Sequence, residues 1–177
     1  LLFDRLHQAV TTSARNKTCA GLLFIDLDNF KILNDTRGHD IGDLLLIEVG
    51  QRLRASIRES DTLSRLGGDE FVVLLEGLSE NRSEAAVQAR EVGEKMLTDI
   101  SQPYTLKNVE HYSTASIGIS LFSNYRQNRD DLLKQADTAL YAAKRSGRNT
   151  LRFFDPARQA TMENRTQPHA GTGECLA

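Results

Sequence analysis

The sequence predicts an α/β domain in which a mixed central sheet is flanked by helices. Apolar runs of strand length alternate with segments whose apolar residues recur every three to four positions, a pattern typical of sheets covered by helices. The chain has 177 residues, of which 40% are hydrophobic and 26% are charged. A chain of that size and composition can bury one sizeable core, so we expect a single globular domain.

The first half of the chain divides into elements of ordinary length. Leu2, Phe3, Leu6 and Val10 lie on one side of a helix predicted over residues 1–15. The uninterrupted apolar run that follows predicts a buried strand. In chain order, the remaining predictions for this half are that strand over 20–26, a short helix over 30–35, a core-facing helix over 41–57, and a hairpin of strands 63–66 and 71–75.

The second half continues the alternation. Asn81 and Glu84 form a helix-start signal, and apolar spacing extends that helix to about residue 100. Pro103 then breaks the chain. The remaining predictions are a hairpin of strands 104–106 and 112–121 around Lys107-Asn108, a helix over 130–146 that stops at Gly147, and a closing strand over 150–154. Residues 156–177 are polar and aperiodic, which indicates a disordered or linker-like tail.

Two acidic clusters stand beside the predicted strands. Asp26 ends the buried strand, and Asp69 and Glu70 follow the double glycine of the hairpin. Carboxylates at a strand end suit a hard cation such as Mg²⁺, which takes oxygen ligands and shares them with phosphate. Ordinary roles compete with this interpretation, because Gly-Gly-Asp is also a common turn and Asp28-Asn29 could simply cap the next helix.

Three segments resemble the motifs of the GGDEF family, the diguanylate cyclases. Residues 65–71, Arg-Leu-Gly-Gly-Asp-Glu-Phe, are similar to the family signature. Residues 26–43 are similar to its nucleotide-binding segment, and residues 136–149 are similar to its C-terminal helix. The resemblance covers about residues 1–155, which we therefore expect to be a GGDEF domain that lacks its extreme N-terminus. It also implies a fold like the catalytic core of the nucleotidyl cyclases.

The resemblance implies that the domain joins two GTP molecules into cyclic di-GMP and releases two pyrophosphates. Two facing sites are needed to close the ring, so a homodimer is expected. The implied metal ligands, for Mg²⁺ or Mn²⁺ and with two ions in each site, are Asp26, Leu27 through its carbonyl, Asp69 and Glu70. The implied catalytic residues are Glu70, Asp69 and Lys31. The implied substrate-binding residues are Asn34 and Asp43 for guanine, and Phe30, Gly67, Gly68, Lys144 and Arg148 for the rest of the nucleotide.

Arg58 and Asp61 match the family's inhibitory site for cyclic di-GMP in their position before the hairpin. An Arg-x-x-Asp sequence is also common as a surface ion pair of little energetic value. Lys144 and Arg148 likewise have an ordinary alternative, since cations are favoured at a helix C-terminus, and Lys144 could instead pair with Asp137.

Composition limits the partners. The net charge of -2 gives no basic field for binding nucleic acid. No apolar run approaches the length needed to span a membrane, so we expect no membrane contact by this domain. The two cysteines form no disulfide framework, so a cytoplasmic location is expected. The chain begins with Leu1, so we expect an excised piece of a parent that carries sensory domains or a membrane anchor. Residues 154–158 resemble the linker to an EAL phosphodiesterase domain, which keeps open the alternative of a non-catalytic module that binds GTP or cyclic di-GMP. A cyclase with another base specificity is a third possibility.

Overall fold

The computed structural model describes residues 1–124 and 126–156. Within these residues the chain forms five α-helices and seven β-strands. The helices are α1 (Leu2–Asn16), α2 (Phe30–Arg37), α3 (His39–Ala55), α4 (Arg82–Ile100) and α5 (Arg129–Arg145). The strands are β1 (Cys19–Leu27), β2 (Thr62–Gly67), β3 (Glu70–Leu78), β4 (Tyr104–Leu106), β5 (Val109–His111), β6 (Ala115–Phe122) and β7 (Leu151–Phe153). None of the helices in the described ranges is long and apolar enough to cross a bilayer.

The main sheet has five strands in the order β2-β3-β1-β6-β7. All neighbouring pairs are antiparallel except β6 and β7, which run parallel, so the predicted mixed sheet is confirmed. β1 occupies the centre, and every one of its residues is buried. The register places Asp26 of β1 opposite Glu70 of β3 on one side and opposite Ser116 of β6 on the other. The acidic C-terminal end of the central strand β1 therefore lies between β3 and β6, at one end of the strands.

The two faces of the sheet carry separate apolar clusters, as the alternation of side chains along a strand requires. Leu23, Ile25 and Leu27 pack in the cluster that includes residues of α2, α3 and α4. Leu22 and Phe24 pack in the cluster that includes residues of α1 and α5. Asp26 continues this second row, so its side chain points to the face covered by α5. The position of α5 therefore decides what Asp26 meets.

α5 lies unusually close to the sheet. A Cβ at Gly118 of β6 would lie 2.1 Å from the carbonyl oxygen of Ala136 and 2.2 Å from the amide nitrogen of Leu140, both in α5. Only glycine allows this approach of two backbones. The close packing sets the height of the whole helix above the sheet, and with it the position of Lys144 in the last turn.

Arg52 of α3 joins three parts of the fold. Its guanidinium donates to the carbonyl oxygens of Asp99 at 2.9 Å, Gln102 at 2.7 Å and Pro103 at 2.7 Å, and it stacks 3.6 Å above the ring of Tyr104. These carbonyls lie at and beyond the C-terminal turn of α4, where backbone acceptors lack helical partners. Arg52 thus caps α4 and fixes the start of β4.

The predicted elements are present, with two differences. The hairpin around Lys107-Asn108 is confirmed, and its second strand is Val109–His111. The prediction that residues 112–121 form that second strand is wrong. That run belongs to β6, which begins at Ala115 and pairs with β1 in the main sheet. The helix predicted to stop at Gly147 ends at Arg145, with Ser146 as its C-cap, while Gly147 has a φ of 112° in the loop that follows. The expected tail over 156–177 lies outside the described residues after Pro156.

Candidate functional site

The end of β1 brings a carboxylate, a hairpin and a lysine together. Asp26 is only 8% exposed, and its Oδ2 accepts a hydrogen bond from Nζ of Lys144 at 2.7 Å. Glu70 is its direct partner across the β1–β3 pair, so the two side chains project to the same face. The alternative pairing of Lys144 with Asp137 is not formed, because Lys144 reaches across to the sheet instead.

Asp69 lies at the tip of the β2–β3 hairpin and faces Asp26. Burial raises the pKa of Asp69 from 3.8 to about 6, helped by a hydrogen bond and by charge repulsion with Asp26, whereas the charge of Lys144 opposes the rise. Two carboxyl groups that share one site cannot both ionise freely. A divalent cation between them would relieve this repulsion, so the pair fits a site for a hard cation.

The donor set is limited to oxygen. Across residues 1–124 and 126–156, no three or more His, Cys, Asp or Glu side chains form a metal-binding group by themselves. Asp26 and Asp69 supply two carboxylates, and the carbonyl of Leu27 lies next in the chain. Mg²⁺ commonly takes one or two protein carboxylates and completes its shell with water and substrate phosphates, so these residues fit such an ion.

The hairpin tip has the backbone that the double glycine predicts. Gly67 has a φ of 154° and Gly68 a φ of 51°, and a Cβ at either position would have no atom within 4 Å. Arg65 closes the turn by donating from Nε to the carbonyl oxygen of Gly68 at 2.9 Å. The tip is therefore open on its outer side, and a ligand can approach its backbone closely.

Asp28 has a structural role. Its buried carboxylate accepts from the hydroxyls of Thr114 and Ser116, each at 2.7 Å, and from the backbone N–H of Asn149 at 3.0 Å. The proposed helix cap is therefore wrong for Asp28, and Asn29, which stands at the N-cap position with a φ of 58°, makes no side-chain cap either. Asp28 instead fixes the loop after α5 against β6, an anchor that sequence reasoning missed.

Two further side chains, Lys31 and Arg148, are predicted to contact phosphate besides Lys144. Lys31 is exposed in the first turn of α2, and Arg148 is exposed in the loop that Asp28 fixes. The turn from β1 into a helix predicts from the sequence that the backbone N–H groups of residues 27–30 face a phosphate. This prediction is wrong for Leu27 and Asp28, whose N–H groups are used by the carbonyls of Asp69 at 3.4 Å and Thr114 at 2.8 Å. The N-terminus of α2, which begins at Phe30, is the remaining backbone candidate.

The two predicted base-binding residues flank the corner between α2 and α3. Asn34 is partly buried, and its Oδ1 is enclosed without a hydrogen-bond partner among the described residues. Asp43 is exposed and lines a depression of about 520 Å³. The full lining of this depression is Asp43, Leu46, Ile47, Gly50 and Arg65. Arg65 thus connects the depression to the hairpin tip.

Arg58 and Asp61 adopt different roles from each other. Asp61 is 6% exposed, and its carboxylate accepts from the backbone N–H of Arg58 at 3.0 Å and of Glu76 at 3.2 Å. It therefore closes the turn into β2 and holds it against β3. Arg58 is exposed. Burial raises the pKa of Glu76 beside them, with Arg5 opposing the rise and Asp61 adding to it.

A second cavity was not predicted from the sequence. It has a volume of about 440 Å³ and lies between α2 and residues 111–114. Arg37 and His111 both line it, and burial together with the charge of Arg37 lowers the pKa of His111. Of the predicted site residues, only Phe30 reaches it. No local sequence signal identifies it, because its walls come from distant segments.

Comparison with known proteins gives the family. Residues 1–150 match the family model for "Diguanylate cyclase, GGDEF domain". The bifunctional diguanylate cyclase/cyclic di-GMP phosphodiesterase MucR of Pseudomonas aeruginosa is 44% identical over 167 residues, which are 94% of this chain and 24% of MucR. The cyclic di-GMP phosphodiesterase NbdA of the same organism is 38% identical over 133 residues, covering 75% of this chain and 16% of NbdA. The chain thus spans about a quarter of MucR and less of NbdA.

Solved structures agree. A form of TpbB from P. aeruginosa comprising only the GGDEF domain has a TM-score of 0.84 and 32% sequence identity, and the match covers 92% of each chain. The active GGEEF domain of a diguanylate cyclase from Vibrio cholerae has a TM-score of 0.77 and 26% identity, with 87% of this chain and 94% of that one covered. The chain belongs to the diguanylate cyclase GGDEF domain family.

Proposed function

We propose that this domain is a diguanylate cyclase, which condenses two GTP molecules into cyclic di-GMP and releases two pyrophosphates. The observation that carries the proposal is the paired carboxyl groups of Asp26 and Asp69 beside Lys144, a site in which the pKa of Asp69 is raised to about 6. Two ionised carboxylates held against each other repel, a divalent cation between them relieves that repulsion, and the cation of a nucleotide site is shared with phosphate.

Asp26, Asp69 and the carbonyl of Leu27 would hold Mg²⁺ or Mn²⁺, with Glu70 on the same face and two ions in each complete site. The ions, when bound, neutralise the triphosphate and acidify the attacking 3′-hydroxyl. Glu70 is our candidate to accept the proton of that hydroxyl, because it projects beside Asp26 and remains partly exposed.

The phosphates would be held by cations from two elements. Lys144 pairs with Asp26 at 2.7 Å, and a phosphate oxygen can replace that carboxylate as its partner. Arg148 lies four residues further on, and Lys31 lies in the first turn of α2, where the helix dipole also favours negative charge. The open backbone at Gly67 and Gly68 leaves room for the nucleotide beside the hairpin.

Guanine would be bound at the corner of α2 and α3. The carboxylate of Asp43 accepts hydrogen bonds from the N1–H and the exocyclic amine of guanine, and the carboxamide of Asn34 adds a donor through Nδ2, because its Oδ1 is enclosed. Adenine presents neither of those donors in that arrangement, so the pair favours GTP. Each domain holds one nucleotide, and a two-fold homodimer brings two such sites face to face.

Product inhibition at Arg58 and Asp61 is part of the proposal in a narrower form. The guanidinium of Arg58 is exposed and can bind phosphate or guanine in a bidentate manner. The carboxylate of Asp61 is occupied by two backbone N–H groups, so its contribution is to position Arg58.

A second candidate is a regulatory module that binds GTP or cyclic di-GMP without turnover. It is favoured by the domain contexts of the relatives, since MucR is bifunctional and NbdA is a phosphodiesterase, and each is several times longer than this chain. A cytoplasmic parent with sensory and EAL domains would suit either function.

The test is to incubate the purified chain with GTP and Mg²⁺ at several protein concentrations and to measure cyclic di-GMP by chromatography. We expect the rate to rise more steeply than linearly with protein concentration, because the active unit is a dimer. Asp69→Ala should abolish turnover, whereas Glu80→Ala, which removes an exposed carboxylate beyond the end of β3 that is remote from Asp26, should leave it unchanged. GTP binding without product would favour the regulatory module, and a fully active Asp69→Ala would refute the metal site.

A further inference from the structure

Gly42 stands at the point where Asn34 meets α3. A Cβ built at Gly42 would lie 1.9 Å from Oδ1 of Asn34, 3.0 Å from its Cγ and 3.2 Å from the ring of Phe30. Real Cβ atoms do not approach other heavy atoms to 1.9 Å. The carboxamide of Asn34 therefore occupies the space in which any other residue at position 42 would place its side chain.

The backbone holds this contact in a fixed geometry. The N–H of Gly38 donates to the carbonyl of Asn34 at 3.0 Å, and the N–H of Gly42 donates to the carbonyl of Gly38 at 3.3 Å. Gly38 itself turns the chain between the two helices with a φ of 86°. The backbones of Asn34 and Gly42 are thus linked through one intervening residue, so the side chain of Asn34 is the part that must move if position 42 gains a side chain.

The orientation of the carboxamide follows from its enclosure. Oδ1 is buried against Gly42 and has no hydrogen-bond partner in the described part of the chain, while Asn34 as a whole is partly exposed. A buried oxygen without a partner costs about 1–3 kcal/mol, so this position of the carboxamide is maintained at a cost in stability. With Oδ1 enclosed, Nδ2 is the atom of the carboxamide that is left to donate to a ligand.

We propose that Gly42 is a specificity-determining positioning residue. Because Gly42 has no side chain, the carboxamide of Asn34 packs against α3, and this position of the carboxamide directs its Nδ2 donor to the nucleotide base. This inference rests on the proposed guanine-binding function of the same site. A side chain at position 42 would displace the carboxamide of Asn34 and leave Asp43 as the remaining base contact. The expected consequence is a selective loss of guanine recognition.

The same helix offers a matched control. At Gly50, two turns further along α3, an added Cβ would find its nearest neighbour at 3.8 Å, the ring of Phe71, which is an ordinary contact. Gly42→Ala and Gly50→Ala make the same chemical change in the interior of one helix and carry the same intrinsic gain in helix propensity. Any difference in thermal stability between the two variants therefore reports the contact with Asn34.

The experiment measures binding of 3′-deoxy-GTP and 3′-deoxy-ATP by calorimetry in Mg²⁺, because nucleotides without the 3′-hydroxyl cannot be joined. We expect the wild-type chain to prefer the guanine nucleotide. Gly42→Ala should weaken its binding about tenfold, the loss expected for one or two hydrogen bonds, and should change adenine binding less than about threefold. Gly50 lines the depression beside Asp43, so Gly50→Ala serves as the control for thermal stability, and its Tm should match that of the wild type.

A double variant makes the mechanism testable even where Gly42→Ala folds poorly. In an Asn34→Ala background the displaced group is absent, so adding Gly42→Ala should cost no further guanine affinity and should restore any lost thermal stability. Selective wild-type binding with an unchanged Gly42→Ala would overturn this inference alone. Additive losses, or a double variant that still fails to fold, would also overturn it. A wild-type chain without preference for guanine would overturn the proposed base site, and this inference with it.

Discussion

Replacing Asp69 by Asn should stabilise the protein in a pH-dependent way. The folded-state pKa of Asp69 is about 6 against an ordinary value of 3.8, so the folded chain disfavours the ionised form. The stability of the wild type should therefore fall as the pH rises from about 4 to about 6, and the full cost should persist above that window. An amide at this position carries no charge and can still donate to Asp26.

The size of the effect follows from the pKa. A rise of about two pH units corresponds to about 3 kcal/mol, and because Asp69 is partly exposed we halve this for solvent screening, to about 1.5 kcal/mol. For a domain of this length that is a gain of about 3–6 °C in Tm for Asp69→Asn above pH 7, and close to zero below pH 4.

The assay is thermal unfolding followed by circular dichroism between pH 4 and pH 8 in the presence of a chelator, with Asp35→Asn as the exposed control. Adding Mg²⁺ at pH 8 should raise the Tm of the wild type and have a much smaller effect on Asp69→Asn, since binding removes the repulsion that the substitution already removes. A difference in Tm that is the same at pH 4.5 and pH 8 would refute the assignment of the raised pKa to Asp69.

Three further predictions test other parts of the molecule. Gly118→Ala should destabilise the fold by more than about 3 kcal/mol in denaturant unfolding, because its Cβ would meet the backbone of α5. The control Gly21→Ala, whose nearest contact would be a side chain at 3.4 Å, should cost less than about 1.5 kcal/mol. Equal effects of the two substitutions would contradict the close approach of α5 to β6. Arg52→Ala should cost about 2 kcal/mol by the same measurement, because it removes three hydrogen bonds to carbonyl oxygens and the stack on Tyr104. A cost below about 0.5 kcal/mol would contradict the role of Arg52 in capping α4. Arg58→Ala should relieve inhibition by cyclic di-GMP in initial-rate assays while leaving the uninhibited rate unchanged, and undiminished inhibition would remove Arg58 from that site.

Most helices and strands could be predicted from the sequence, because the apolar spacing and capping residues that define them are local patterns. Helices α1, α3, α4 and α5 follow apolar spacing, and the cap at Asn81 is present, with its side chain accepting from the N–H groups of Ser83 and Glu84. The division of residues 109–122 into two strands could not be predicted, because one β-prone run continues through both. What separates them is the strand that each one pairs with, and pairing is not a local property.

The site shows the same limit. Motif resemblance nominated Asp26, Asp69 and Lys144, and the fold brings these three together. It did not give the contact of Lys144 with Asp26, which joins residues 118 positions apart, or the anchoring role of Asp28. Nor did it reveal the seat of Asn34 against Gly42, because local patterns do not encode the distance between two helices that meet at a corner.

The hydrogen bond from the backbone of Asn149 to Asp28 spans 121 residues and has a consequence for biosynthesis. At about 5–20 residues per second, a ribosome needs roughly 6–24 s to extend the chain from one partner to the other. Throughout that interval the nascent domain can form the β2–β3 hairpin and the helices that contact it, but not the loop that carries Arg148. Completion of the site is therefore a late, high-contact-order event, and a nascent chain cannot bring all of the proposed phosphate-binding residues together before the loop with Arg148 has emerged.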